Sequence, residues 1–330
     1  MNMNTRTNRV SPQPYGARKI HAAIPGFRSA SHRDDFDPSL REDGGSLTGR
    51  KEEQTCLSNK TQVCDRRRVK LFFVIVAVAV LFSASIHLRA QGNYEIQVYG
   101  ADTVAPRSTM LELHSNFTAV GHPAMDGIAA TNHAEHETVE ITQGINDWSE
   151  VGFYIFTSEQ SGLGMQWVGD HIRPRVRVPD KWRWPVGVSV STEIGYQRAL
   201  FSPDTWTWEI RPIVDKSVGR WYFAVNPALE RTWHGPDVNL GIGFSPAAKI
   251  SYDFTKKITG GFEYYADYGS ITNIASLHNQ QQQLFPAIDL NVSPDWEINF
   301  GAGIGPTSAT DRWIIKAIIG RHFNWGRKPQ

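Results

Sequence analysis

The chain has 330 residues, with 34 Lys+Arg against 33 Asp+Glu, for a formal net charge of +1. That balance excludes a strongly basic nucleic-acid binder, and a mean hydropathy of −0.37 excludes a bundle of transmembrane helices. The average conceals a split: residues 1–90 hold 15 Lys+Arg, 8 Asp+Glu and both cysteines, whereas residues 91–330 hold 19, 25 and all eleven tryptophans.

Residues 1–65 show no sustained apolar period and are rich in Arg, Ser, Asn, Asp and Gly. Such a composition does not bury enough apolar surface to offset the entropy of ordering, so a disordered extension is expected. Arg66-Arg67-Arg68-Val69-Lys70 then precedes the unbroken apolar run Leu71–Leu81 and the sequence FSASIHLRA. A basic segment, a short apolar core and a small terminal residue have the layout of an export signal peptide over 66–90, with cleavage after Ala90. The rival is an uncleaved helical anchor over Leu71–Leu88, which Ser83, Ser85 and His87 dilute below the roughly 20 apolar residues a span requires. A signal peptide belongs at an N-terminus, so translation is expected to start near Val69, with residues 1–68 an artefact of start assignment.

Beyond Ala90 the pattern has period two. Trp221, Phe223, Val225 and Leu229 share one parity, as do Trp296, Ile298, Phe300, Ala302 and Ile304. Strict alternation of this kind marks strands. Twelve segments are predicted, at 108–119, 137–145, 148–157, 166–178, 183–196, 205–214, 220–230, 238–252, 258–268, 284–292, 296–304 and 312–323. Tight turns are expected around Asn146-Asp147, Pro179-Lys181, Lys216-Gly219, Thr255-Lys257 and Ser293-Asp295. The intervening connections (120–136, 158–165, 197–204, 231–237, 269–283 and 305–311) read as longer, so tight and long alternate. Residues 91–330 therefore predict an all-β fold, an up-and-down antiparallel transmembrane β-barrel with short periplasmic turns and longer outer loops.

The lipid-facing parity must be apolar, with aromatic rings gathered at the two interfaces. Trp148, Trp182, Trp184, Trp221, Trp296 and Trp313 fall at strand ends and supply such girdles. The last strand, WIIKAIIGRHF, alternates to Phe323, and its aromatic ending resembles the C-terminal signal of bacterial outer-membrane barrels, although NWGRKPQ follows it. The chain from Gln91 to Phe323 thus resembles a Gram-negative outer-membrane β-barrel of about twelve strands. It is similar to the small transporter-like barrels associated with phenol-degradation operons. The resemblance implies residence in the outer membrane, with membrane lipid, lipopolysaccharide and the barrel-assembly machinery as partners, and neither cofactor nor nucleic acid. It brings no catalytic motif.

The opposite parity faces the lumen and is heavily charged. Arg173, Arg175 and Arg177 form a basic ladder on one strand. Either the ladder guides anionic solutes, or it pairs with Glu150 and Glu193 and fills a narrow interior. Glu209 is a further acidic partner. The expected function is a narrow porin-like channel for small solutes or a structural barrel. A lipid-modifying enzyme is the alternative suggested by Leu113-His114-Ser115-Asn116, though alternation sends His114 and Ser115 to opposite faces. A helix-anchored protein with a soluble all-β periplasmic domain is a third. His122, His133 and His136 fall in the first long loop without a recognised metal spacing, so a solvated loop and no metal are expected. Gly301-Ala302-Gly303-Ile304-Gly305 reads as a strand whose glycines relieve crowding in the lumen.

Overall fold

A computed structural model describes residues 93–325. The expected extension over 1–65, the signal peptide over 66–90 and its cleavage at Ala90 lie outside these residues. The twelve expected segments are all strands. In chain order they are β1 (Ser108–Val120), β2 (Ala134–Asn146), β3 (Ser149–Gln160), β4 (Gly164–Arg177), β5 (Gly187–Gln197), β6 (Trp206–Val218), β7 (Trp221–His234), β8 (Gly243–Asp253) and β9 (Ile258–Asp267). Two-residue strands β10 (Gly269–Ser270) and β11 (Asn273–Ile274) decorate the next loop, followed by β12 (Gln281–Leu290), β13 (Trp296–Ile304) and β14 (Trp313–Asn324).

Each long strand pairs antiparallel with its neighbours. β8 pairs with β9 and β9 with β12, while β1 pairs with β14 from Ser108↔Asn324 to Val120↔Trp313. The sheet is therefore a closed twelve-stranded barrel without a free edge. Among the described residues no helix is long and apolar enough to cross a membrane.

Burial alternates with the sequence parity. On β1, Leu111, Leu113 and Phe117 are exposed while Glu112, His114 and Asn116 are buried. The same inversion holds on β14, where Ile315 and Ile319 are exposed and Lys316 is 1 % exposed. A water-soluble domain would bury such aliphatic side chains; an exterior built from them suits hydrocarbon. Trp148, Trp182, Trp184, Trp221 and Trp296 stand exposed at the short-turn end, and Trp313 stands at the opposite end. At that far end Trp167 and Trp206 pack on either side of Tyr196, with centroids 5.9 and 5.4 Å away. Phe323 stacks on Trp325 at 6.2 Å near the close of β14, and the Arg321 guanidinium lies 5.1 Å from its ring.

The strict alternation of tight and long connections is corrected at two places. The β3–β4 link is only 161–163, because Gly162 and Gly164 both adopt positive φ and close the hairpin at once. The β4–β5 link runs over 178–186, with a 3-10 turn at Asp180–Trp182. Pro185, which has no N–H to give a ladder, delays the strand until Gly187, so Trp184 lies before β5 rather than within it. The third correction concerns His136, which belongs to β2 and is 2 % exposed, not part of a loop.

Candidate functional site

The barrel lumen is occupied by the segment of the chain that precedes β1. Residues 93–107 form no strand, yet Tyr94, Ile96, Val98, Tyr99, Ala101 and Thr103 are all buried. Their polar contacts trace a path along the barrel axis. Asn93 reaches Thr118 at 3.2 Å and also bonds Asp311, both at the long-loop end. The carbonyl of Tyr94 accepts from Thr138 at 2.6 Å, and Asn116 donates to the Asn93 carbonyl at 2.8 Å. At mid-depth, Asn226 clamps Tyr99 from both sides, accepting from its N–H at 2.7 Å and donating to its carbonyl at 3.0 Å. Lower down, Arg175 donates to the carbonyls of Gly100 (3.1 Å) and Asp102 (2.6 Å), and the Val104 N–H donates to Glu150 at 2.6 Å. The segment leaves past Gly144, where a Cβ would meet the Ala105 carbonyl at 2.1 Å, so only glycine admits it there.

Much of the plug backbone bonds lumen side chains instead of a ladder: Thr138 serves the Tyr94 carbonyl, Lys316 the Ile96 carbonyl, Asn226 both groups of Tyr99, and Asp215 the Ala101 N–H. Apolar anchors help: Tyr94 packs with Tyr154, Phe156, Val168 and Phe201, and Ile96 with Phe285 and Ile314. Sequence reading missed the plug. Its signal was present in the alternation of Tyr94, Ile96 and Val98 against Glu95 and Gln97, a strand pattern lying ahead of the first strand of a barrel already closed.

The basic ladder sits at the centre of an ion-pair network. Arg173 is 1 % exposed and contacts Glu140 at 2.6 Å and Glu150 at 3.7 Å. Its guanidinium lies 4.5 Å from the Tyr99 ring centroid and 5.4 Å from that of Tyr154. Arg175 pairs with Glu150 at 2.7 Å. Arg177, at the short-turn mouth, reaches Asp102 at 3.2 Å and also pairs with Asp180. Glu193 pairs with His171, and Glu209 pairs with Arg211 at 2.6 Å. The plug carboxylate Glu95 lies 3.4 Å from Arg211 and accepts from the Tyr99 hydroxyl. A second network on the opposite wall joins Lys249 to Glu263 and Asp289 (3.1 and 2.8 Å), with Lys316 between Glu263 and the Ile96 carbonyl.

The residues of the enzymatic alternative diverge. His114 is fully buried in the lumen, while Ser115 faces outward and donates to the Glu137 carboxylate at 2.7 Å. The loop histidines separate as well. His136 packs edge-on against Tyr94 at 4.7 Å, His133 takes a left-handed φ of 58°, and His122 bonds Asp311 at 2.8 Å. The glycines of β13 do meet lumen side chains: a Cβ on Gly303 would lie 2.3 Å from the Phe285 ring, and one on Gly301 would lie 3.1 Å from Lys316.

No protein-family profile matches this chain, and no curated protein is similar to it. Among solved structures it is similar to an outer membrane channel from Pseudomonas putida F1, at 8 % identity and a TM-score of 0.48, over 69 % of this chain and 100 % of that one. It is also similar to the NanC porin (8 % identity, TM-score 0.44, 64 % and 97 % of the two chains). LpxR from Salmonella typhimurium is a further neighbour, at 11 % identity and a TM-score of 0.34, over 65 % of this chain and 100 % of that one. At these identities the likeness concerns the fold alone.

Proposed function

We propose that this protein is a narrow porin-like channel of the Gram-negative outer membrane, held shut by the segment that precedes β1, and that displacement of residues 93–104 opens a path for small polar solutes. The observation that carries this reading is the mode of attachment. Up to Val104 the polar contacts of the plug are hydrogen bonds and ion pairs with lumen side chains, and it adds no strand to the wall. That stretch can leave without breaking a barrel ladder, while backbone bonds at Ala105 and Arg107 keep its base at the mouth. A purely structural barrel has no need of a detachable filling; it can pack its lumen with wall side chains.

Orientation follows from the connections, with the turns at 147–148, 219–220 and 254–257 on the periplasmic side and the loops 121–133, 198–205 and 268–280 outside. Asn93 then stands at the outer end of the lumen. Cleavage near Ala90 would leave only Gln91 and Gly92 ahead of it. The partners in this reading are membrane lipid, lipopolysaccharide and the assembly machinery that receives the strand ending at Phe323.

The test is conductance in planar bilayers of the protein extracted from outer membranes after expression of the full-length gene. Wild type should be closed or only briefly open. A variant carrying N226A and R175Q together, which loses the Tyr99 clamp and the Arg175 bonds to Gly100 and Asp102, should show long openings while keeping its heat-modifiable migration on gels. A folded variant that never conducts would reject the channel and leave a structural barrel.

A further inference from the structure

We infer that the lumen wall carries a divalent-cation site formed by Glu112, His114 and Glu140, with Gln97 of the plug as a fourth donor. The site departs from the expectation of a metal-free barrel, and it stands on lumen geometry whether or not the barrel conducts.

The strand register creates the problem that a cation would solve. Glu112 on β1 lies directly opposite Glu140 on β2, on the same face of the sheet. Both are within the lumen, 5 % and 1 % exposed. Like charges at directly opposed positions destabilise a sheet, and a buried carboxylate demands a partner. Arg173 and the Thr142 hydroxyl engage one oxygen of Glu140, each at 2.6 Å, which fixes that carboxylate in place. The other oxygen, Oε2, has no hydrogen-bond partner. No Lys or Arg forms an ion pair with Glu112 among the described residues; the Gln97 amide donates to it at 3.5 Å.

His114 supplies the second, independent observation. It is fully buried, and neither of its ring nitrogens has a hydrogen-bond partner. Its Nε2 lies 3.5 Å from the free Oε2 of Glu140. An imidazole with no hydrogen bond to either ring nitrogen, beside a carboxylate oxygen that also lacks one, is costly to bury, and a ring nitrogen and a carboxylate oxygen are the donors a metal ion uses. One donor atom from each of Glu112, His114 and Glu140 falls within 4.8 Å of the others. Two donors bound tetrahedrally at about 2.1 Å sit about 3.4 Å apart, so small side-chain rotations close the site.

Gln97 completes it. Its Oε1 is buried without a partner. The side-chain amide can be turned over without changing its shape, which would place Oε1 where the amide nitrogen now stands, 3.5 Å from Glu112 Oε1. One imidazole nitrogen with carboxylate and amide oxygens suits a first-row divalent ion such as Zn²⁺ better than Ca²⁺ or Mg²⁺, which prefer all-oxygen sites. A bound ion would neutralise the Glu112–Glu140 repulsion and tie the plug to the wall at mid-depth.

The probe is zinc itself. The full-length gene is expressed, and the protein is extracted from membranes, stripped with EDTA and titrated with Zn²⁺ against a competing chromophoric chelator. Wild type should bind one zinc tightly, and H114Q and E112Q should each weaken that binding by about tenfold or more. H133Q, in the exposed loop, should leave it unchanged. Hydrogen exchange of residues 95–99 should slow on adding zinc in wild type and not in E112Q. If H114Q does not fold, E112Q still decides, because it removes a repulsion and its barrel can be checked by heat-modifiable migration. The absence of tight zinc binding, binding that survives E112Q, or binding lost only in H133Q would overturn the site.

Discussion

The plug reading makes Asn226 a residue whose loss should free one segment and leave the barrel standing. Asn226 is 1 % exposed and spends its side chain on the backbone of Tyr99, through bonds of 2.7 and 3.0 Å. In Asn226→Ala both bonds vanish. If water reaches the vacated site, the loss is the net value of two hydrogen bonds, about 2 kcal/mol. If the Tyr99 N–H and C=O stay buried without partners, the cost rises to about 4 kcal/mol. Every 1.4 kcal/mol is tenfold, so the docked-to-undocked ratio of the plug should fall by about 30-fold to about 1000-fold. Hydrogen exchange read by mass spectrometry on peptides covering 95–103 measures this directly, with β6 and β7 as internal references. Faster exchange confined to 95–103 is the expected outcome. If 221–234 accelerates equally, Asn226 supports the wall and the clamp argument fails. If neither moves, the segment is not held where Asn226 places it.

Gly303→Val should displace Phe285, whose ring would lie 2.3 Å from the new Cβ; overpacking of about 1–3 kcal/mol should lower the temperature at which the folded gel band is lost. Ile155→Arg puts a charge at mid-height on the exposed face of β3; a cost of about 2–4 kcal/mol should appear as a lower urea midpoint in lipid vesicles, and no cost would argue that this face does not meet hydrocarbon. Glu112→Gln should change sign with zinc: in chelator it relieves the repulsion with Glu140 and stabilises by up to about 1 kcal/mol, whereas with zinc present wild type should be the more stable. Once opened by loss of the plug, and in chelator, the lumen should favour K⁺ over Cl⁻ in reversal-potential measurements; a preference for anions would show that the ladder arginines are not neutralised by the wall carboxylates.

The wall was legible in the sequence because a barrel writes both of its environments into one strand. Leu113 and Phe117 against Glu112, His114 and Asn116 can be satisfied only by lipid on one side and a polar lumen on the other. Strand ends were less legible. Pro185 shortens β5, and Gly162 with Gly164 shortens a loop, through backbone conformations that parity does not encode. The lumen contents were legible only in part: the expected pairing of the ladder with Glu150 is present, whereas Glu193 pairs with His171 and the plug was not foreseen. Whether Arg173 meets Glu140, which is 33 positions away, or the Tyr99 ring depends on strand register and on where residues 93–107 run. No local pattern distinguishes a strand that joins a wall from one that threads its centre. Tyr94, Ile96 and Val98 alternate as well as any wall strand, but the ring of twelve is already closed by β1 and β14, so these residues have no edge to join.

That closure also changes what the arginine ladder can be. A ladder that guides anions must present charge that nothing else has taken. Here Arg173 faces Glu140 and Glu150, Arg175 faces Glu150, and Arg177 faces Asp180, all on the wall or its turns. These partners stay behind if the plug departs. What leaves with it are the carbonyls of Gly100 and Asp102, the Asp102 carboxylate and Glu95. Arg175 is thereby exposed to water but remains beside Glu150, and Arg211 keeps Glu209. Glu112 faces the lumen with no Arg or Lys ion pair in either state among the described residues. The arginines thus hold two things in register, the carboxylates of β2 and β3 and the backbone of the plug, and the uncompensated charge that a passing ion would meet is negative.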